Sequence, residues 1–195
     1  MLLPGLALAL LLGATLGAGG REAAAAGPAE LAVAGGPLVR AGEAVRRLLW
    51  IDLYRVELYL PPARRESREL GRPGLAKAFR VEMLFGGELP ETIPEEWAEK
   101  LLPPLAPADQ ETLKVTYAGL ESGDELLFSF APGRGTLMEV NGRPRITTGD
   151  HRFMAGILAL FVGPDAASPS MRRDLLAEVA PRAVPPATAR PAPAR

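Results

Sequence analysis

The run Leu48 to Leu60, LLWIDLYRVELYL, constrains this chain more than any other segment. It is dense in β-branched and aromatic residues and stops at Pro61-Pro62, so it reads as a strand. Leu48, Trp50, Tyr54, Val56, Leu58 and Leu60 fall on one face. Arg55, Glu57 and Tyr59 fall on the other, beside Leu49, Ile51 and Leu53. One face apolar save for Asp52, with a second apolar for half its length, describes a strand that is central at one end of a sheet. Such a strand needs partners on both edges and a layer to cover it.

The partners are legible downstream. Phe79, Val81, Met83 and Phe85 alternate with Arg80, Glu82 and Leu84, the pattern of a half-buried strand. Leu126 to Phe130 and Thr136 to Val140 flank APGRG, a Pro-Gly turn, and form a hairpin. Asn141-Gly142 supplies a type I′ turn into Arg143 to Ile146, which makes a three-stranded antiparallel meander. Helices supply the cover. Pro94 to Leu102 opens on a proline and two acids and stops at Pro103. Asp150 caps a helix from His151 to Val162, with Gly163 as a left-handed terminator. Ser168 and Pro169 open a last helix that runs to Val179. Strands and helices grouped rather than alternating define an α+β fold.

The two ends stand apart from this domain. Leu2 to Leu12 is an apolar run followed by small residues, shorter than the about 20 residues a spanning helix needs. It reads as the core of a secretory signal within residues 1–26, cleaved after Ala18 or within Ala23 to Ala26. An uncleaved anchor is the alternative, and no second segment reaches spanning length. Residues 180–195 are Pro, Ala and Arg with little else, too poor in apolar bulk to offset ordering entropy. The folded domain is expected over 31–179, in a periplasmic or secreted protein.

The chemistry open to the chain is narrow. Cysteine is absent, which removes disulfides, thiolate metal sites and cysteine nucleophiles. His151 is the single histidine, too few for a histidine-rich metal site, and no metal or cofactor is expected. No phosphate-binding or serine-hydrolase signature occurs. A net charge of −1 gives no surplus of cations for nucleic acid. His151 at a helix start, Arg134 and Asn141 in turns, and Trp97 on an amphipathic helix all have ordinary structural explanations.

Three segments in order resemble the chalcone isomerase-like family. GILALFVGPDAASPSMRRDLLA is similar to its closing segment, with Gly163, Ser168, Pro169, Met171 and Leu175 at the family spacing. DELLFSFAPGRGTLMEVNGRP resembles its hairpin, and RRLLWIDLYRVELYLP its long strand, in which Tyr59 matches a structural tyrosine. The likeness runs from Gly42 to Ala177 and is nearer the bacterial, exported branch than the plant enzymes. It implies an open-faced β-sandwich: a large antiparallel sheet covered by helices on one side, with a ligand cleft between.

In the catalytic members an arginine before the long strand holds a phenolate, and hydroxyl side chains stabilise an enolate. Here Tyr54 falls at the strand threonine position and Leu160 at the Ser/Thr position of the late helix. The stretch Gly86 to Leu102 offers no match for the catalytic tyrosine or asparagine. The arginine survives as Arg46 or Arg47. Non-catalytic members bind fatty acids through an arginine and a tyrosine, a role that Arg46 with Tyr54 fits. The resemblance therefore implies a binder of a small amphipathic anionic ligand, such as a fatty acid. An isomerase (intramolecular lyase) acting on an enone-type substrate, and an interaction module without small ligand, are the alternatives.

Overall fold

The structure, a computed structural model, describes residues 27–63, 70–87, 92–166 and 168–179. The expected signal segment and the Pro/Ala-rich tail lie outside the described residues. Seven strands form one antiparallel sheet in chain order: β1 (Glu30–Val33), β2 (Gly36–Leu48), β3 (Ile51–Leu60), β4 (Lys77–Met83), β5 (Glu125–Ala131), β6 (Gly135–Val140) and β7 (Arg143–Thr148). Between and after them come α1 (Glu95–Leu101), α2 (Pro107–Ala118), α3 (His151–Phe161) and α4 (Pro169–Leu176). The α+β sheet-and-helix architecture expected from the sequence is the one observed.

The long strand is shorter than its apolar run. Leu48 ends β2 and pairs with Ile51, so Leu49 and Trp50 are a hairpin connection rather than strand interior. From Tyr54 to Leu60 every residue of β3 is buried, on both faces, as a central strand requires. Tyr54, Val56 and Leu58 face the helices with Phe79 and Val81 of β4 and Phe128 of β5. Trp97, Leu101, Phe153, Ile157, Phe161 and Leu175 close the core from the helix side. Burying an aliphatic or aromatic side chain of this size stabilises by roughly 1.5–3 kcal/mol, so this interface carries the fold.

Two glycines set how closely helices approach. A β-carbon at Gly42 on β2 would collide with the Leu175 carbonyl of α4, and one at Gly156 of α3 with the Lys100 carbonyl of α1. The caps follow the sequence reading at the N-termini. The Asp150 side chain accepts from the Arg152 amide, and Ser168 accepts from the Met171 amide. At the C-terminus of α3 the reading is corrected. Val162 is the cap at φ −128°, and Gly163 is absent from the glycines of positive φ. Gly163 is required instead because a side chain there would strike Ala159. Asn141 and Gly142, at φ 50° and 72°, make the expected type I′ turn.

The opposite face of the sheet is closed by the chain's own start. Leu31 and Val33 of β1 pack against Leu38, Tyr59, Ala76 and Ala78. Beside them lies a buried charge network centred on Glu57, which is fully buried. Its carboxylate accepts from Gly27 N at 2.7 Å, Arg40 at 3.0 Å and Arg80 at 3.1 Å, and lies 2.9 Å from the Tyr59 hydroxyl. Arg55 joins Glu43 and Glu82, and Arg80 also reaches Glu82 and Glu125. Burial pushes the Glu57 carboxyl up, but the four hydrogen bonds outweigh it and hold the group below its ordinary value.

Candidate ligand-binding site

The β2–β3 register places Arg46 directly opposite Tyr54. The hairpin turn creates this neighbourhood: on one continuous strand the two residues would stand about 26 Å apart. An irregularity between Arg46 and Arg47 leaves Leu53 without a register partner on β2. Arg47 pairs with Asp52, Nε to Oδ1 at 2.6 Å, with both side chains exposed. Arg46 is half-buried, and among the described residues its side chain makes one hydrogen bond, a long 3.5 Å contact to the Arg47 carbonyl. No carboxylate pairs with it among the described residues. The structure therefore separates two arginines that the sequence left as alternatives.

Tyr54 is 7% exposed and lies under the helix layer. Its ring meets Trp97 edge-on at 6.0 Å and Phe161 at 6.5 Å, and Trp97 and Phe161 meet each other at 5.9 Å. Its buried hydroxyl makes no hydrogen bond of normal geometry, although the Trp97 indole lies near enough to favour the ionised form weakly. A hydroxyl in that state costs about 1–3 kcal/mol relative to a satisfied one. Burial pushes its pKa up to about 12, with the Arg46 cation pulling the other way and Glu96 adding to the rise. Tyr54 is thus a neutral donor at any physiological pH, beside a guanidinium with no counter-ion. Donor and cation together match a carboxylate or another small oxyanion.

Leu160, which the resemblance puts at a Ser/Thr position, is fully buried in the core. Sequence reasoning counted Trp97 as core, which it is, but missed that Trp97 and Phe161 build the aromatic wall around Tyr54. The apolar spacing of the two helices was the available signal. His151 is exposed at the start of α3. Arg134 is exposed in its turn. Among the described residues no group of three His, Cys, Asp or Glu side chains could hold a metal. Nor is any helix there long and apolar enough to cross a membrane.

A buried lysine, missed in the sequence, lies at the start of β4. Lys77 is 2% exposed, and its ammonium donates to the carbonyls of Leu70 at 2.7 Å and Arg72 at 2.9 Å. It sits over the Phe130 ring beside a cavity of about 290 Å³ that His151 and Met154 also line. Burial pulls its pKa down to about 8. With two carbonyls as partners it is a clamp on the loop before β4.

A helix-covered antiparallel sheet with an arginine–tyrosine pair at one end of the layer is an open-faced sandwich. The chain belongs to the chalcone isomerase-like family, whose model matches residues 22–177. Its fold is similar to the crystal structure of a fatty-acid binding protein from Arabidopsis thaliana. The TM-score is 0.54 at 14% identity, over 78% of this chain and 91% of that chain. At that identity the likeness speaks for the fold alone. No curated protein sequence matches the chain.

Proposed function

We propose that this is an exported, non-catalytic binder of an amphipathic acid, a fatty acid or a molecule of that shape. The carboxylate sits between the Arg46 guanidinium and the Tyr54 hydroxyl, and the apolar tail enters the layer between sheet and helices beside Trp97 and Phe161. The observation that carries this reading is the buried Tyr54 hydroxyl, which makes no hydrogen bond of normal geometry, directly across the strand pair from Arg46, which has no carboxylate partner among the described residues. A ligand carboxylate would satisfy both at once. The Arabidopsis protein of similar fold is a fatty-acid binding protein, which favours an acyl chain over other apolar tails. Removal of a leader within residues 1–26 belongs to the same proposal.

The test is substitution at the pair. A buried arginine–carboxylate contact that loses its cation costs about 2–5 kcal/mol, roughly 30- to several-thousand-fold in affinity. Arg46→Gln is expected to abolish binding of a long-chain fatty acid with little change in thermal midpoint. Arg47→Gln, already satisfied by Asp52, is expected to bind normally. Equal binding by wild type and Arg46→Gln would refute the anchor.

A further inference from the structure

Four large apolar side chains are exposed among the described residues, and three of them are consecutive: Leu48, Leu49 and Trp50, at 54%, 78% and 81%. They form the tip of the β2–β3 hairpin. A two-residue connection of this kind needs positive φ at its first residue or at both, and Gly or Asn normally provides it. Here Leu49 takes φ 55°. The other non-glycine residue with positive φ is Asn141, in an Asn-Gly turn where that geometry is at home. Leucine in the left-handed region is strained, and this one projects its side chain into water. Neither backbone preference nor burial within the chain accounts for it. Strain held at an exposed apolar tip points to a partner outside the chain.

We propose that the hairpin tip docks on an anionic lipid bilayer. Leu48 and Leu49 enter the acyl boundary, and Trp50 sits at the headgroup level that tryptophan favours. Arg46 and Arg47 stand just behind the apolar tip, where headgroup phosphates lie. Against Asp52 they leave the tip one positive charge while no acid is bound, carried by Arg46, which has no carboxylate partner among the described residues. A second copy of the chain fits less well, because three side chains bury far less than the about 1,200 Å² of a stable interface. Docking would turn the Arg46–Tyr54 pair toward the membrane, so that an acid passes from the leaflet to its site without crossing water. That last step rests on the proposed ligand; the docking itself does not.

The purified protein should co-float with vesicles of phosphatidylglycerol and phosphatidylethanolamine in equal parts, and far less with phosphatidylcholine alone. Trp50 emission should shift to the blue and be quenched by brominated lipid, while Trp97, buried in the core, stays unchanged. Leu49→Asn and Trp50→Ser should each lower vesicle partitioning by at least about tenfold. Leu49→Asn should at the same time hold or raise the thermal midpoint, by up to about 2–4 °C, because it relieves the backbone. Partitioning that is absent in the wild type, or as strong in both variants as in the wild type, overturns the proposal. So does a midpoint lowered by Leu49→Asn, which would make the leucine a packing residue. A lipid-independent dimer dispersed by Trp50→Ser would assign the tip to a second copy instead. Acyl-chain retention, read separately by native mass spectrometry, shows whether the ligand reading stands or falls apart from docking.

Discussion

Tyr54 and Lys77 are buried at opposite ends of one sheet face, and each leaves a pH signature of opposite sign. Lys77 has its pKa lowered to about 8, against an ordinary lysine value of about 10.4. Between those values the unfolded chain binds the extra proton, so stability should rise with pH in that window. Tyr54 is raised to about 12, so its contribution is complete below about pH 10 and is lost as the phenol is forced to ionise. Denaturant unfolding at a series of pH values should show stability climbing from about pH 8 and falling beyond about pH 10. In Lys77→Met the climb should vanish while the fall remains. A climb that persists in Lys77→Met would show that some other group produces it.

Glu57 sets the acid limb. Its folded pKa is held below the ordinary carboxyl value, so its contribution is present at neutral pH and is lost as pH drops below about 4.3. Glu57→Ala would leave Arg40 and Arg80 facing a buried gap. The expected cost is about 3–5 kcal/mol, measured by denaturant midpoint at pH 7. A loss under about 1 kcal/mol would mean that the arginines find solvent once the carboxylate is gone.

At the scale of elements, the late strands were legible because turn chemistry was explicit. APGRG and Asn141-Gly142 fix two hairpins with residues that hardly serve otherwise. The β2–β3 turn was illegible for the converse reason: Leu49 and Trp50 are strand formers in a turn, so their run reads as one strand. Strand β2 itself is interrupted by Gly36, Pro37 and Gly42, which erase its alternation. Helix α2 lies in a proline-rich stretch with only a weak apolar face. The Arg46–Tyr54 neighbourhood depended on that unseen turn, so residue spacing did not reveal it; the family resemblance did. Gly42 has its own consequence. Gly42→Ala should push α4 off β2 and cost about 1–3 kcal/mol by thermal or denaturant unfolding. An unchanged midpoint would show that α4 moves freely.

For the whole molecule, the chain belongs to the chalcone isomerase-like family and has a similar fold, and the proposed function rests on one small constellation. By the family resemblance, the enolate-side hydroxyl positions of the catalytic members fall at Tyr54, a bulkier residue buried under the helix layer, and at Leu160, which has no hydroxyl. The missing donors are each worth roughly 100-fold or more in rate, so a 2′-hydroxychalcone should cyclise no faster than in buffer. Turnover well above that background would restore the isomerase reading. The central claim is tested most directly by native mass spectrometry of the protein purified from its own host. The account predicts a retained acyl-chain acid on the wild type and on Arg47→Gln, and none on Arg46→Gln. An empty wild-type protein that also fails to take up added fatty acid, or an acid retained equally by Arg46→Gln, would contradict it.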